Sequence, residues 1–331
     1  MTFATMPKVE LHLHHEAAAP PSFVRQIAKE KKIDIEGLFD ENGNYSFRDF
    51  AHFIEVYDGA TAALTTPEDF QRLTYLALEE TAKSGVIYAE TFLSPDFCGG
   101  SDLIAWKEFL AAIKEGADAA EKDFGIVHRA IVTCLRHIGP EKAIPAAKCA
   151  AETADDYLVG FGMAGAEMVG RPGDFAYSFD LAREAGLRLT CHAGEWGGPD
   201  MVADTLRDLK VERIGHGINA FHDDALVDQL AADGVVLEVC PGSNVVLKAV
   251  TGLDAHPIAK LRERGVKVTV STDDPPFFAT TMTREFEELN RVFGWDRPDF
   301  DALNTTAIEA AFCDDTTRAA IVKRLEAAKN D

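Results

Sequence analysis

The 331-residue chain predicts an α/β fold, a (β/α)8 barrel of the TIM type with a helical insertion after its first strand. Three observations carry that expectation. Eight short β-rich runs recur along the chain, most of them followed by a segment whose apolar residues recur at helical spacing, which is the count and alternation of such a barrel. Histidines, a glutamate and an aspartate pair fall where several of these runs end, the edge at which a barrel keeps its reactive groups. The hydrophobic content of 47% suffices for one large core, and no repeat, low-complexity tract or linker divides the chain, so residues 1–331 are expected to form one domain.

The first strand, 9–14, reads Val-Glu-Leu-His-Leu-His. Side chains alternate along a strand, so His12 and His14 project from one face. Paired imidazoles suit a metal ion, but two ligands do not make a site. About seventy residues then precede the second strand at 86–93, far more than a crossover helix needs. The excess reads as an insertion over about 38–66, with a turn-rich Asp40-Glu41-Asn42-Gly43-Asn44 followed by Phe47, Phe50, Phe53, Ile54 and Tyr57. This aromatic run is either one amphipathic helix packed on the barrel or, from its place after the histidine strand, a lid. Segment 66–84 has helical spacing and leads into the second strand; helix 103–122 leads to a third strand at 128–136 and a fourth at 158–164. Helix 171–185 precedes the fifth strand, 188–192, which runs into Cys191-His192-Ala193-Gly194-Glu195. The sixth strand, 213–216, ends in Gly215-His216-Gly217; helix 223–232 connects to the seventh, 235–240. The eighth, 266–272, ends in Ser271-Thr272-Asp273-Asp274-Pro275.

Composition narrows the function. Lys plus Arg number 33 against 55 Asp plus Glu, a formal charge of −22, which repels phosphate backbones and speaks against a nucleic-acid partner. No run approaches the roughly 20 apolar residues of a membrane span, and the first residues lack the basic start and apolar core of a signal peptide. The six cysteines are scattered without a CxxC pair, so neither a disulfide framework nor a cysteine metal cluster is expected, and the cytoplasm is the expected compartment. Cys191, beside His192, points the other way by alternation and reads as packing. Oligomeric state leaves no trace in the sequence.

The strand ends divide the chemistry among them. His12, His14, His192 and Asp273 offer nitrogen and oxygen ligands for one Zn²⁺ per chain, with a position left open. Such an ion lowers the pKa of water from 15.7 toward about 7. His216 is placed to orient the resulting hydroxide and accept its proton, while Glu195, beyond the strand, is placed to donate to a ring nitrogen of a substrate.

Several segments together resemble the adenosine deaminase family of the metal-dependent amidohydrolase superfamily: Pro7-Lys8-Val9-Glu10-Leu11-His12-Leu13-His14, the stretch from Val159 to Glu167, His192-Ala193-Gly194-Glu195, Arg213-Ile214-Gly215-His216-Gly217, Cys240-Pro241-Gly242-Ser243-Asn244 and Ser271-Thr272-Asp273-Asp274-Pro275. They are spread over nearly the whole chain and stand in the family's order. The resemblance implies zinc on His12, His14, His192 and Asp273, protonation of purine N1 by Glu195, and attack on C6 assisted by His216. It implies Asp274 on N7 and the backbone N–H of Gly165 on N3, glycine letting the ligand come close to the backbone. Asp273 counts also among the catalytic groups and His14 among the substrate contacts. After the histidine pair the family usually shows Leu-Asp-Gly, its aspartate meeting ribose; here stand His15-Glu16-Ala17. Glu16 takes the aspartate's place, as in relatives that act on free adenine, and His15, facing opposite to His14, reads as structural. Ala164-Gly165-Ala166-Glu167 and Gly215 lean the other way, toward the nucleoside, although Gly162 and Ala166 stand where the family usually has aspartate. The balance favours hydrolytic deamination of adenosine, and of deoxyadenosine, to inosine and ammonia in purine salvage; the alternative is deamination of adenine or an N6-substituted adenine on the same site.

Overall fold

The computed structural model describes residues 3–329. Eight parallel strands stand in chain order: β1 (Lys8–His14), β2 (Val86–Leu93), β3 (Val127–Leu135), β4 (Leu158–Ala164), β5 (Arg188–Ala193), β6 (Arg213–His216), β7 (Val236–Val239) and β8 (Lys267–Val270). The first and last are stitched together just above β8. His14 N–H donates to Asp273 O at 2.9 Å and Asp273 N–H to His12 O at 3.1 Å, so the sheet curls into a nearly closed barrel. The fold class is the expected one. The ends differ by a residue or two: β3 stops at Leu135 because Arg136–Ile138 turns into a 3-10 helix, and Ser271 and Thr272 lie past β8.

Helices cover the outside: α1 (Pro21–Lys31), α2 (Phe50–Thr61), α3 (Pro67–Lys83), α4 (Leu103–Phe124), α5 (Pro140–Thr153), α6 (Ala176–Glu184), α7 (Pro199–Leu209) and α8 (Asp224–Asp233). Short α9 (Pro241–Val246), α10 (Ile258–Glu263) and α11 (Pro275–Phe278) follow, then α12 (Met282–Phe293), α13 (Arg297–Ala310) and α14 (Asp315–Ala327). Local chemistry sets their limits. Thr66 and Asp69 form a capping box at the start of α3. Asp102 caps α4, and Gly125, in the left-handed region at φ 70°, ends it.

The segment between β1 and β2 holds three helices, of which α2 alone falls within 38–66. α3 is the crossover helix of the barrel, and α2 is the aromatic element that reaches over its mouth. Inside the barrel the core is unusually polar. Arg213 donates to Glu238 at 2.6 Å and pairs with Glu90 at 2.7 Å, all three at most 1% exposed, with its guanidinium 3.6 Å from the Phe312 ring centroid. Charges so deeply buried persist only when paired and hydrogen-bonded.

Candidate active site

The ends of β1, β5 and β8 bring four predicted ligands to one point. The ligand atoms of His12, His14, His192 and Asp273 lie within 4.8 Å of one another. His14 Nε2 is 3.1 Å from His192 Nε2 and 3.2 Å from Asp273 Oδ1, which is 3.3 Å from His12 Nε2. Each ligand is tied from behind. His12 Nδ1–H donates to Glu238 Oε2 at 2.8 Å, His192 Nδ1–H to Met163 O at 3.0 Å, and Asp273 Oδ2 accepts from Ser243 Oγ at 2.6 Å. Those bonds assign the free Nε2 atoms and Oδ1 to the centre of the cluster. His12 Nε2 and Asp273 Oδ1 are buried there without a hydrogen-bond partner, as expected of atoms meant for a cation. Three nitrogens and one carboxylate oxygen are a donor set that suits Zn²⁺.

Burial alone would pull His12 down, but Asp273 and Glu238 hold its pKa up at about 9 in the metal-free site. Burial holds His192 well below the usual range, which favours the neutral ring that a metal ion would need. Burial opposes ionisation of Asp273, yet the bonds from His12 and His14 keep it well below the ordinary carboxylate range. Backbone strain is concentrated here. Asp273 (φ 66°) and His216 (φ 59°) both sit in the left-handed region, a conformation that costs non-glycine residues about 1–3 kcal/mol and collects at functional sites.

Glu195 and His216 stand beside the cluster, with His216 Nε2 3.8 Å from Glu195 Oε2. Burial, reinforced by the charges of Asp273 and Glu167, pushes the Glu195 carboxyl well above its ordinary pKa, which favours its protonated form. Burial drops His216 to about 3, so its ring is neutral. A chain of hydrogen bonds fixes its tautomer. Ile258 N–H donates to His256 Nδ1 at 3.1 Å, so neutral His256 carries its proton on Nε2 and donates to Asn244 Oδ1 at 3.2 Å. Asn244 Nδ2 then donates to Glu195 Oε1 and to His216 Nδ1, both at 3.2 Å. His216 is left with its proton on Nε2, as a donor. Asp274, next to Asp273, is pushed well above the ordinary range by burial and by the Asp273 and Glu195 charges, which likewise favours its protonated form.

These groups open on a cavity of about 570 Å³, a volume that includes the open space at its mouth. His14, His192, Glu195, His216, Asp273, Asp274 and Gly165 line it, and α2 roofs it with Phe50, Phe53, Ile54 and Tyr57. Gly165 has φ +97°, and a Cβ there would lie 2.4 Å from His137 Nδ1, so only glycine fits. Glu16 stands apart. It is buried outside the cavity lining, its Oε1 accepting from Ser94 N–H at 2.9 Å and its Oε2 from Tyr57 O–H at 3.2 Å. His15 turns away from the cluster to Thr91 and Thr74, and Cys191 is buried in packing.

Three supporting residues escaped the sequence reading. Glu167 accepts from four consecutive backbone N–H groups, Gly194 to Gly197, and so moulds the turn that carries Glu195. Glu238 and Arg213 anchor His12. Their signal was present: a charge inside the apolar strand Val-Leu-Glu-Val is out of place in a buried parallel sheet unless it has a partner.

The sequence model of the adenosine deaminase family matches residues 7–328, and the chain belongs to that family. A curated relative, the adenine deaminase of Rhizobium rhizogenes, is 45% identical over 320 residues, covering 97% of this chain and 99% of its own. The crystal structure of adenine deaminase from Arthrobacter aurescens superposes with a TM-score of 0.90 at 31% identity, covering 98% of this chain and 100% of that one. An amidohydrolase from Burkholderia ambifaria, solved with bound Zn, superposes with a TM-score of 0.86 at 27% identity, covering 99% of this chain and 93% of that one. The chain is thus a hydrolase that removes the C6 amine of a purine.

Proposed function

We propose that this chain is a zinc-dependent adenine deaminase, converting free adenine and water to hypoxanthine and ammonia. The sequence alone weighed toward adenosine; the relatives favour the alternative, and Glu16 is the observation that carries it here. Its carboxylate, standing where the family's ribose contact stands, lies behind the cavity lining and accepts from Ser94 N–H and Tyr57 O–H. Both of its oxygens are thus engaged by the protein before a sugar hydroxyl could reach them.

His12, His14, His192 and Asp273 would hold the metal, which when bound lowers the pKa of water to about 7. The protein's own groups do the rest. Protonated Glu195 donates to purine N1, which draws electron density from C6. Protonated Asp274 donates to N7, and Gly165 N–H donates to N3. Neutral His216 donates from Nε2 to the attacking oxygen and fixes its approach, so the proton-accepting role expected from sequence gives way to an orienting one. The proton of the attacking hydroxyl leaves with the amine as ammonia, and the proton that water gave up in becoming hydroxide restores Glu195 to its acid form. α2, in the insertion, serves as the lid of a single 1–331 barrel domain.

The test is a comparison of kcat/KM for adenine, adenosine and deoxyadenosine on zinc-loaded enzyme, followed by ultraviolet absorbance. Adenine is expected to lead by at least about tenfold, the worth of one good polar contact. Equal or higher kcat/KM on adenosine would overturn the assignment to the free base.

A further inference from the structure

Among the described side chains that line the cavity, one buried polar atom without a hydrogen-bond partner belongs to a residue that the proposed chemistry does not use. His137 lies in the 3-10 turn after β3 and lines the cavity. Its Nδ1 is buried and has no hydrogen-bond partner. It sits against Gly165, closely enough that a Cβ on that glycine would lie 2.4 Å from it. Its neighbour Arg136 secures the turn, donating from Nε to Val169 O at 2.6 Å and from a terminal nitrogen to Gly170 O at 2.9 Å. A buried, unpaired ring nitrogen facing a cavity costs about 1–3 kcal/mol unless a ligand satisfies it, and with the ring's proton on Nε2 this nitrogen is an acceptor.

Ring geometry says which ligand atom that is. With C6 at the metal cluster, the purine perimeter runs N1, N3, N9, N7. The barrel presents groups in the same order: Glu195 after β5, Gly165 after β4, His137 after β3 and, beyond β1, Asp274 after β8. N3 and N9 flank one carbon, so a residue pressed against Gly165 falls at N9. We infer that His137 is a specificity-determining residue whose Nδ1 accepts the N9–H of the free base. In a nucleoside N9 carries the sugar and has no hydrogen to give, so the acceptor stays unpaired. The inference rests on the adenine reading above.

The experiment measures kcat and KM for adenine and for 9-methyladenine, which lacks N9–H, on wild type, His137→Leu and His137→Asn, with zinc content and thermal melting recorded for each. Wild-type turnover of adenine comes first, since its absence overturns the adenine reading and this inference with it. Given that turnover, His137→Leu is expected to raise KM for adenine about 5- to 100-fold, with kcat changed less, and to leave 9-methyladenine unaffected or improved. His137→Asn, which keeps an acceptor at the same distance from the backbone, should recover most of the preference for adenine. Equal losses on both substrates in His137→Leu, which leave the ratio between them unchanged, would overturn the role of His137 and leave the adenine assignment standing. If His137→Leu fails to fold, the ratio in His137→Asn decides: it stays near the wild-type value if an acceptor matters, and collapses if only the imidazole's bulk does.

Discussion

The floor and the roof of the cavity are built on different principles. The floor, at the ends of β1, β5 and β8, holds each reactive side chain from behind: Glu238 behind His12, Met163 O behind His192, Ser243 behind Asp273, and Asn244 behind both Glu195 and His216. The roof, α2, is held largely by rings. Phe53 meets Phe277 and Phe278 at centroid distances of 5.5 Å, and Phe50 meets Trp196 at 5.4 Å. Its one hydrogen bond to the wall is Tyr57 to Glu16. Directional bonds fix a geometry to fractions of an ångström, as metal ligation and proton delivery require. Apolar contacts are non-directional and repack at lower cost, which suits an element that must admit and release a base.

The hardest blow to the floor is Glu195→Gln. Removing a positioned acid costs about 10²–10⁴-fold in kcat, and metal content measured by atomic emission should not change. A variant that stayed nearly as active as the parent would remove Glu195 from proton delivery. The pH profile sharpens the same point. Glu195 and Asp274 work protonated and both carboxyls are raised, so kcat/KM should fall as pH rises through the raised pKa of Glu195 and that carboxyl ionises. His216, titrating at about 3, adds no limb near neutrality. An alkaline limb that persisted unchanged in Glu195→Gln would assign it to another group.

One shell further out, Glu238→Gln should weaken zinc binding about 10–100-fold, read by competition with a chelator, because the partner that orients His12 is disturbed. At saturating zinc the KM for the base should stay within twofold; a KM effect without a metal effect would place Glu238 with the substrate instead. The smallest change is expected in the roof. Tyr57→Phe deletes one hydrogen bond, worth about 0.5–1.5 kcal/mol, and should alter KM by about 2- to 10-fold with kcat and metal content intact. A kcat loss as large as that of Glu195→Gln would erase the distinction between the two regions.

The same division separates what was legible in the sequence from what was not. His12 and His14 could be read because two residues of spacing in a strand fix a common face, and His192, Glu195, His216 and Asp273 because strand ends share one rim. Glu167 could not be assigned its task, since its four donors lie 27 to 30 residues away and meet it only when β4 and β5 pair. Glu16 illustrates the limit most sharply. Its place after β1 suggested contact with substrate, whereas folding turns its carboxylate onto Ser94 and a tyrosine of the insertion.

Sequence by itself determined the barrel, the reactive residues and the family, because alternation, helical spacing and strand-end position are local properties of a chain. The tertiary structure decided how those residues are charged, which tautomer His216 holds and which polar atoms are left facing the cavity. Desolvation and hydrogen-bond completion depend on every neighbour a side chain meets, and those neighbours, Glu238 behind His12 or His137 against Gly165, come from other strands.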